Sequence, residues 1–385
     1  MAASASQLHL VLGSASVAGY PQGGGHWSWF LQYPAGLKAL GHRVTWLEVL
    51  KAEADPARTQ ARVREFLERV QTLGLADDCI VAVIGGAGAG PEFYGAERRL
   101  PEVARDADLF WNLACGVRDP ILSLFKRRVL IDVDPGHLQV GALACELEID
   151  RHDAFLSVGA RLGRPGCEVP TLGHRWSPFR PFVYLPDWHA APDPGPDAPF
   201  TSATQWTWEV LNFGDRYVST SKRTAYLRYL ELPLRARRRF RLAANIGASD
   251  PAGDRALLES YGWELADPHQ VATTPAAYQD FIRASRAEFL CPKPIYRELK
   301  TGWISDRSVS YLASGRPVLA EETGFSESIP AGRGLIAFRD LEEAAAGVAA
   351  IDADYARHSR AARELCEAYF DSRRCLSEMI EASFA

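Results

Sequence analysis

Short apolar runs alternate with amphipathic stretches through the first 180 residues of the chain. Leu8–Leu12 is apolar and ends at Gly13. A small-residue loop follows and closes on Gly23-Gly24-Gly25-His26. The spacing over Trp27–Leu40 predicts a helix stopped by Gly41, with Pro34 expected to kink or break it. Arg43–Glu48 reads as a second strand, which completes one strand–helix–strand unit of a parallel sheet. Arg58–Leu73 has amphipathic helical spacing, and Cys79–Ile84 is a third buried strand ending at Gly85-Gly86. Asp108–Trp111 and Val129–Val133 supply two more strands, the latter running into Asp134-Pro-Gly-His137. Strands alternating with helices predict an open, doubly wound α/β sheet.

The pattern breaks at Pro178–Pro199, where seven prolines sit among Asp, Ala and Gly. No helix or central strand tolerates that density, so this stretch predicts a linker. A second α/β alternation follows: a strand at Arg239–Asn245, helices at Pro251–Tyr261 and Pro275–Ser285, and a strand at Ala287–Cys291. In QWTWEV, alternation puts one of Trp206 and Trp208 inside and the other outside. The tail from Leu341 to Phe384 predicts three helical segments. The expected organisation is a first domain over 1–183, a linker over 184–200, a second domain over 201–365, and a final helix over 366–385 packing back on the first domain.

At 385 residues, two domains are the default. The composition is that of an ordinary globular protein, 47% hydrophobic and 24% charged. A net charge of −5 argues against a nucleic-acid surface. The basic run Arg235–Arg241 is the exception and reads first as a solvated helix end, with phosphate binding as the alternative. Seven scattered cysteines with no CxxC pair predict reduced thiols and a cytoplasmic location. No apolar run approaches the roughly 18–20 residues of a membrane span, and the N-terminus lacks the basic segment of a signal peptide.

The densest chemistry lies in Lys300–Phe338. Ser305 or Asp306 is placed to cap a short helix that Gly315 ends, and Pro317 leads into a strand at Val318–Ala320. The free N–H groups of the helix start, with Arg307 beside them, suit a phosphate anion. The loop Glu321–Phe325 adds carboxylates and a hydroxyl for a polyhydroxylated group. This segment resembles the donor-binding half of GT-B glycosyltransferases, in which a helix ending in A-x-G-x-P-V precedes a strand and a sugar-contacting loop. The likeness continues through Gly324, Gly332-Arg-Gly334, Phe338 and the acidic helix from Leu341. The wider chain is similar to a bacterial group of glycosyltransferase-like proteins, loosely related to the spore-coat type.

The resemblance implies two Rossmann-like domains facing across a cleft, with a nucleotide-sugar as co-substrate, a hydroxyl acceptor and no metal. It implies His26 as general base, since an imidazole titrating near 6.5 suits that task; the bland alternative is a capping histidine. Asp134 would orient His26, hold the acceptor or act as base, unless it only shapes its own turn. Gly24, Gly25, His137, His174 and Trp176 are the candidate acceptor contacts, though Trp176 also suits a core. Donor contacts are expected from Gly247, Lys222, Pro292, Lys293, Lys300, Ser305, Asp306, Arg307, Glu322, Thr323 and Gly324.

The chain departs from the family in two motifs. The paired glutamates of many retaining members fall here on Gly302 and Ser310, so that motif is absent and leaves the stereochemistry open; inversion is what the resemblance of His26 to the base of inverting members implies. The plant-type signature H-C-G-W-N-S is only echoed by Thr301-Gly-Trp303-Ile-Ser305. No His/Cys/Glu spacing suggests a metal. A dinucleotide site at the first glycine loop is the weaker reading, because the loop is long and its glycines are consecutive. A nucleotide-sugar epimerase and a non-catalytic nucleotide- or sugar-binding protein are the alternatives to transfer.

Overall fold

The computed structural model describes residues 7–85, 90–96, 99–247 and 249–385. Gly86, at the end of the third predicted strand, lies outside them. Eight strands form the first sheet: β1 (His9–Ser14), β2 (Arg43–Lys51), β3 (Cys79–Ile84), β4 (Glu92–Gly95), β5 (Leu109–Leu113), β6 (Arg128–Asp132), β7 (Ala154–Ser157) and β8 (Trp176–Pro178). Their order is β4-β3-β2-β1-β5-β6-β7-β8, parallel except for the edge strand β4. The apolar runs read from the sequence are these strands because both faces are covered, so no alternation is needed.

The helix Gly24–Ala39 runs unbroken through Pro34. Its Trp27, Phe30, Tyr33 and Leu37 are fully buried, and that packing offsets the hydrogen bond Pro34 cannot make.

The second sheet contains β9 (Phe200–Gln205), β12 (Phe240–Asn245), β13 (Trp263–Ala266), β14 (Ala287–Leu290), β15 (Val318–Glu321) and β16 (Leu335–Phe338), in the order β13-β12-β9-β14-β15-β16 and wholly parallel. Between β9 and β12 lies a separate hairpin, β10 (Val210–Phe213) and β11 (Arg216–Ser219). The expected sheet begins at Arg239, whereas the observed one includes β9, a central strand that precedes it. Four of the six residues in FTSATQ are polar, but side chains from the flanking helices and loops satisfy two of them: Thr201 Oγ1 bonds Ser285 and Tyr311 at 2.6 Å, and Tyr226 donates to Ser202 at 2.7 Å. Trp206 is buried and donates to Asp254, whereas Trp208 is exposed, as the alternation predicted.

Each sheet reverses direction at its first strand, β1 and β9, so each offers a ligand crevice at that switch point. The basic run lies at the opposite edge, where β12 begins. Arg235, Arg238, Arg239 and Arg241 pair there with Glu342, Asp352 and Glu264, so those charges are spent on surface ion pairs. The C-terminal helix Ser372–Phe384 crosses back to the first sheet. Trp111 Nε1 donates to Ser383 Oγ at 3.0 Å, and Arg127 Nε donates to the Ser383 carbonyl at 2.9 Å. Among the described residues, no helix is long and apolar enough to cross a membrane.

Candidate functional site

A cavity of about 550 Å³ lies between the two sheets. Its first wall is the loop after β1 and the start of the helix Gly24–Ala39; its second wall carries the ends of β9 and β12 and the start of the helix Asp306–Ala313. The walls touch at Gly24, whose N–H donates to the Ala272 carbonyl at 2.8 Å. A Cβ at Gly24 would lie 2.4 Å from the carbonyl oxygens of Ala272 and Thr274. Only glycine permits that approach.

The loop is held from beneath by the buried Glu48 of β2, opposite Ser14 at the end of β1. Its Oε1 accepts from the N–H groups of Val17 and Ala18 at 2.7 and 2.8 Å, and its Oε2 accepts from Trp46 Nε1 at 3.1 Å. Burial pushes this carboxyl up to about 7, although those donors oppose the shift. A carboxyl raised on folding favours the native state at low pH and loses that contribution as pH rises through about 7. Glu48→Gln is therefore expected to flatten part of the decline in Tm between pH 5 and 8, measured by calorimetric scans. Glu288, pushed up to about 7, and Asp132, pushed up to about 6, keep part of the remainder. An unchanged slope would place the titration elsewhere.

His26 sits in the first turn of its helix, edge-on to Tyr20 and tilted against Trp29 at 5.6 Å. Its Nε2 is buried without a hydrogen-bond partner. Burial lowers its pKa, and the Asp306 carboxylate only partly offsets this, so the ring is neutral at physiological pH.

On the facing wall, Ser305 caps its helix by accepting from the Arg307 N–H at 3.2 Å. Arg307 is mostly buried and its Nη1 has no hydrogen-bond partner; the nearest carboxylate, Glu288 Oε1, is 3.8 Å away. Lys222 lies behind it, buried, its ammonium 5.9 Å over the Trp303 ring. Burial first, then the Arg307 charge, pull Lys222 down to about 7.

Asp134 lines the cavity with both oxygens engaged. Lys293 Nζ and His137 Nδ1 meet Oδ2, and Tyr296 donates to Oδ1. Burial pushes the carboxyl up, but Lys293 and then His137 outweigh it, holding it well below the usual carboxylate range. Such a carboxylate is a weak base. His137 also reaches Glu209 at 2.6 Å, tying the first sheet's loop to the hairpin of the second.

The structure therefore gathers Gly24, Gly25, His26, Asp134, Asp306 and Arg307 on one cavity, with Lys222, Lys293, His137 and Ser305 immediately behind. Pro292 is buried between β14 and Lys293, and it does not line the cavity. The other expected contacts lie elsewhere. His174 stacks on Phe155 at 4.0 Å and bonds Asp150, while Trp176 is buried in β8, both away from this cavity at the sheet's far edge. Gly247 lies in open space beyond β12, and Asn245 takes its place on the wall. Lys300, Glu322, Thr323 and Gly324 line a second cavity that shares no residue with the first. Thr323 also spends its hydroxyl on the Trp303 carbonyl.

Tyr20, Trp29, Gln205 and Tyr278 also line the walls, and nothing in their spacing sets them apart from core aromatics and loop amides. Among the described residues, no group of three or more His, Cys, Asp or Glu side chains could hold a metal ion.

Two parallel sheets with ligand crevices facing across an interdomain cavity define the GT-B architecture. The same arrangement occurs in solved glycosyltransferases. An alpha-glucosyltransferase in complex with UDP superposes with a TM-score of 0.60 at 11% identity, over 98% of this chain and 100% of that one. Anabaena HepE, in complex with UDP and glucose, gives 0.59 at 12% identity over 98% and 100%. Sucrose-phosphate synthase from Thermosynechococcus elongatus gives 0.54 at 14% identity over 97% and 98%. The alpha-glucosyltransferase has also been solved with DNA. At these identities the likeness is one of fold. No family model matches the sequence, and no curated protein matches it either.

Proposed function

We propose that this chain is a glycosyltransferase that moves a sugar from a nucleotide-sugar to a hydroxyl acceptor, with inversion and without a metal. The observation that carries this reading is one cavity with two unlike walls. One presents the neutral, unpartnered imidazole of His26, and the other presents the Arg307 guanidinium at a capped helix start. The UDP and UDP-glucose bound by the structural neighbours support the donor class. The acceptor is taken to be a small molecule or glycan, and the net charge of −5 favours that over nucleic acid. The free thiols agree with a cytoplasmic site of action.

In this mechanism the acceptor hydroxyl attacks the anomeric carbon, and its proton passes to the His26 imidazole. The bond from that carbon to the diphosphate oxygen breaks, and the electron pair leaves with the diphosphate. Arg307, the helix N–H groups and Lys222 stabilise the departing charge without a metal ion. Asp134 orients Lys293 and Tyr296 and does not take a proton.

A thermal-shift series over the common nucleoside diphosphates tests the donor site. One base is expected to stand out, since ligand at about 100 times its Kd adds about 2.7 kcal/mol. No shift with any of them, at millimolar concentration, would refute a nucleotide donor.

A further inference from the structure

The second cavity, about 390 Å³, is lined by Arg161, Arg297, Lys300 and Arg339 together with Glu322 and Glu327. It also lies between the domains. Arg161 comes from the loop after β7 and the other five from the second domain. The loops are fitted tightly to one another. Gly324 has φ +101°, and a Cβ there would lie 2.4 Å from Arg161 Cδ. Four cations face two carboxylates on this wall. Arg161 pairs with Glu327, and Arg297 lies 3.5 Å from the buried Glu321, which Arg228 already holds at 2.7 Å. Arg339 makes an exposed pair with Glu343, and no ion pair engages Lys300 among the described residues.

Buried polar atoms without partners are costly and call for an explanation. Among the described residues there are eleven such side-chain atoms, and three belong to residues of this one cavity: Arg161 Nε; Arg297 Nε, which faces Glu321 Oε1 at 3.5 Å without a hydrogen bond; and Glu322 Oε2, whose partner oxygen accepts from the Gly324 N–H at 2.6 Å. Two are guanidinium donors and one is a carboxylate acceptor. Guanidinium groups recognise phosphate oxygens in a fork, and Lys300 adds a mobile cation. A bare phosphate dianion offers Glu322 nothing but repulsion, whereas a hydroxyl beside the phosphate gives it a proton to accept.

We infer that this cavity is a second ligand site, for a phosphorylated polyol, in which the arginines and Lys300 hold the phosphate and Glu322 accepts from a neighbouring hydroxyl. The ligand contacts both domains and so bridges the cleft. The site does not depend on the proposed transfer activity.

Calorimetry with glucose 6-phosphate as probe, and with glucose and inorganic phosphate as its two halves, tests this. Glucose 6-phosphate is expected to bind at least tenfold more tightly than either half. Lys300→Ala and Glu322→Gln should each weaken it by tenfold or more. His26→Ala and Arg307→Ala, on the first cavity, should leave it unchanged. Absence of binding at millimolar probe, equal affinity for inorganic phosphate, or indifference to Lys300→Ala and Glu322→Gln would each overturn the assignment. A tenfold loss on His26→Ala would also overturn it, by moving the probe to the first cavity.

Discussion

His26→Ala is expected to lower turnover by about 10²–10⁴ while leaving the affinity for the nucleotide donor nearly unchanged. The two effects separate because His26 belongs to the first domain, whereas Arg307, Lys222 and the capped helix belong to the second. The pH profile gives an independent reading. Burial lowers the pKa of His26 below 6.5, so the neutral base is present above that lowered value and is lost as pH falls through it. The acidic limb of kcat should therefore lie below 6.5. Asp306 raises the His26 pKa, so Asp306→Asn should move that limb further down. Asp134→Asn breaks contacts to Lys293, His137 and Tyr296 and should cost less in turnover than His26→Ala. Normal turnover in His26→Ala, with an inactive Asp134→Asn, would transfer the base to Asp134.

Arg307→Ala is expected to weaken binding of a nucleoside diphosphate by about 1.5–3 kcal/mol, roughly 10- to 150-fold, and to spare the free nucleoside. The guanidinium lines the cavity, and its buried Nη1 makes no hydrogen bond within the protein, so the arginine's charge is available to phosphate oxygens bound at that wall. It is also the nearest cation to the buried Glu288, whose carboxyl already sits at about 7. Removing the arginine pushes that carboxyl towards its neutral form, so the fold survives by protonation rather than by burying a lone charge. Arg307→Lys keeps the charge but loses the fork, and should recover part of the affinity. Calorimetry showing equal losses for nucleoside and diphosphate would make Arg307 a structural partner of Glu288 alone.

The segment around Arg307 was legible because its punctuation is local. Ser305 caps, Gly315 stops with φ +69°, and β15 follows Pro317 as the residue types require. The strands β1, β2, β3, β5 and β6 were legible because buried parallel strands are continuous apolar runs. β9 was not, since its Thr and Ser hydroxyls look like loop residues until Ser285, Tyr311 and Tyr226 satisfy them from distant parts of the chain. Pro34 misled in the same way. Its local effect is unfavourable, and only the packing of Trp27, Phe30 and Tyr33 against the rest of the first domain outweighs it.

The candidate site divides along the same line. Sequence by itself determined two α/β alternations, a proline-rich break between them, a glycine loop ending in His26 and a capped helix carrying Arg307. All of these follow from short-range spacing and from the chemistry of single residue types. Which of those residues meet was decided only by the tertiary structure. His174 and Trp176 went to a sheet edge, Glu322 and Lys300 to a second cavity, and Asp134 into a cluster with Lys293 and Tyr296. The physical reason is that direction and distance across a cleft are set by how two sheets pack. The pKa values of His26, Glu48 and Lys222 follow from burial that this packing creates.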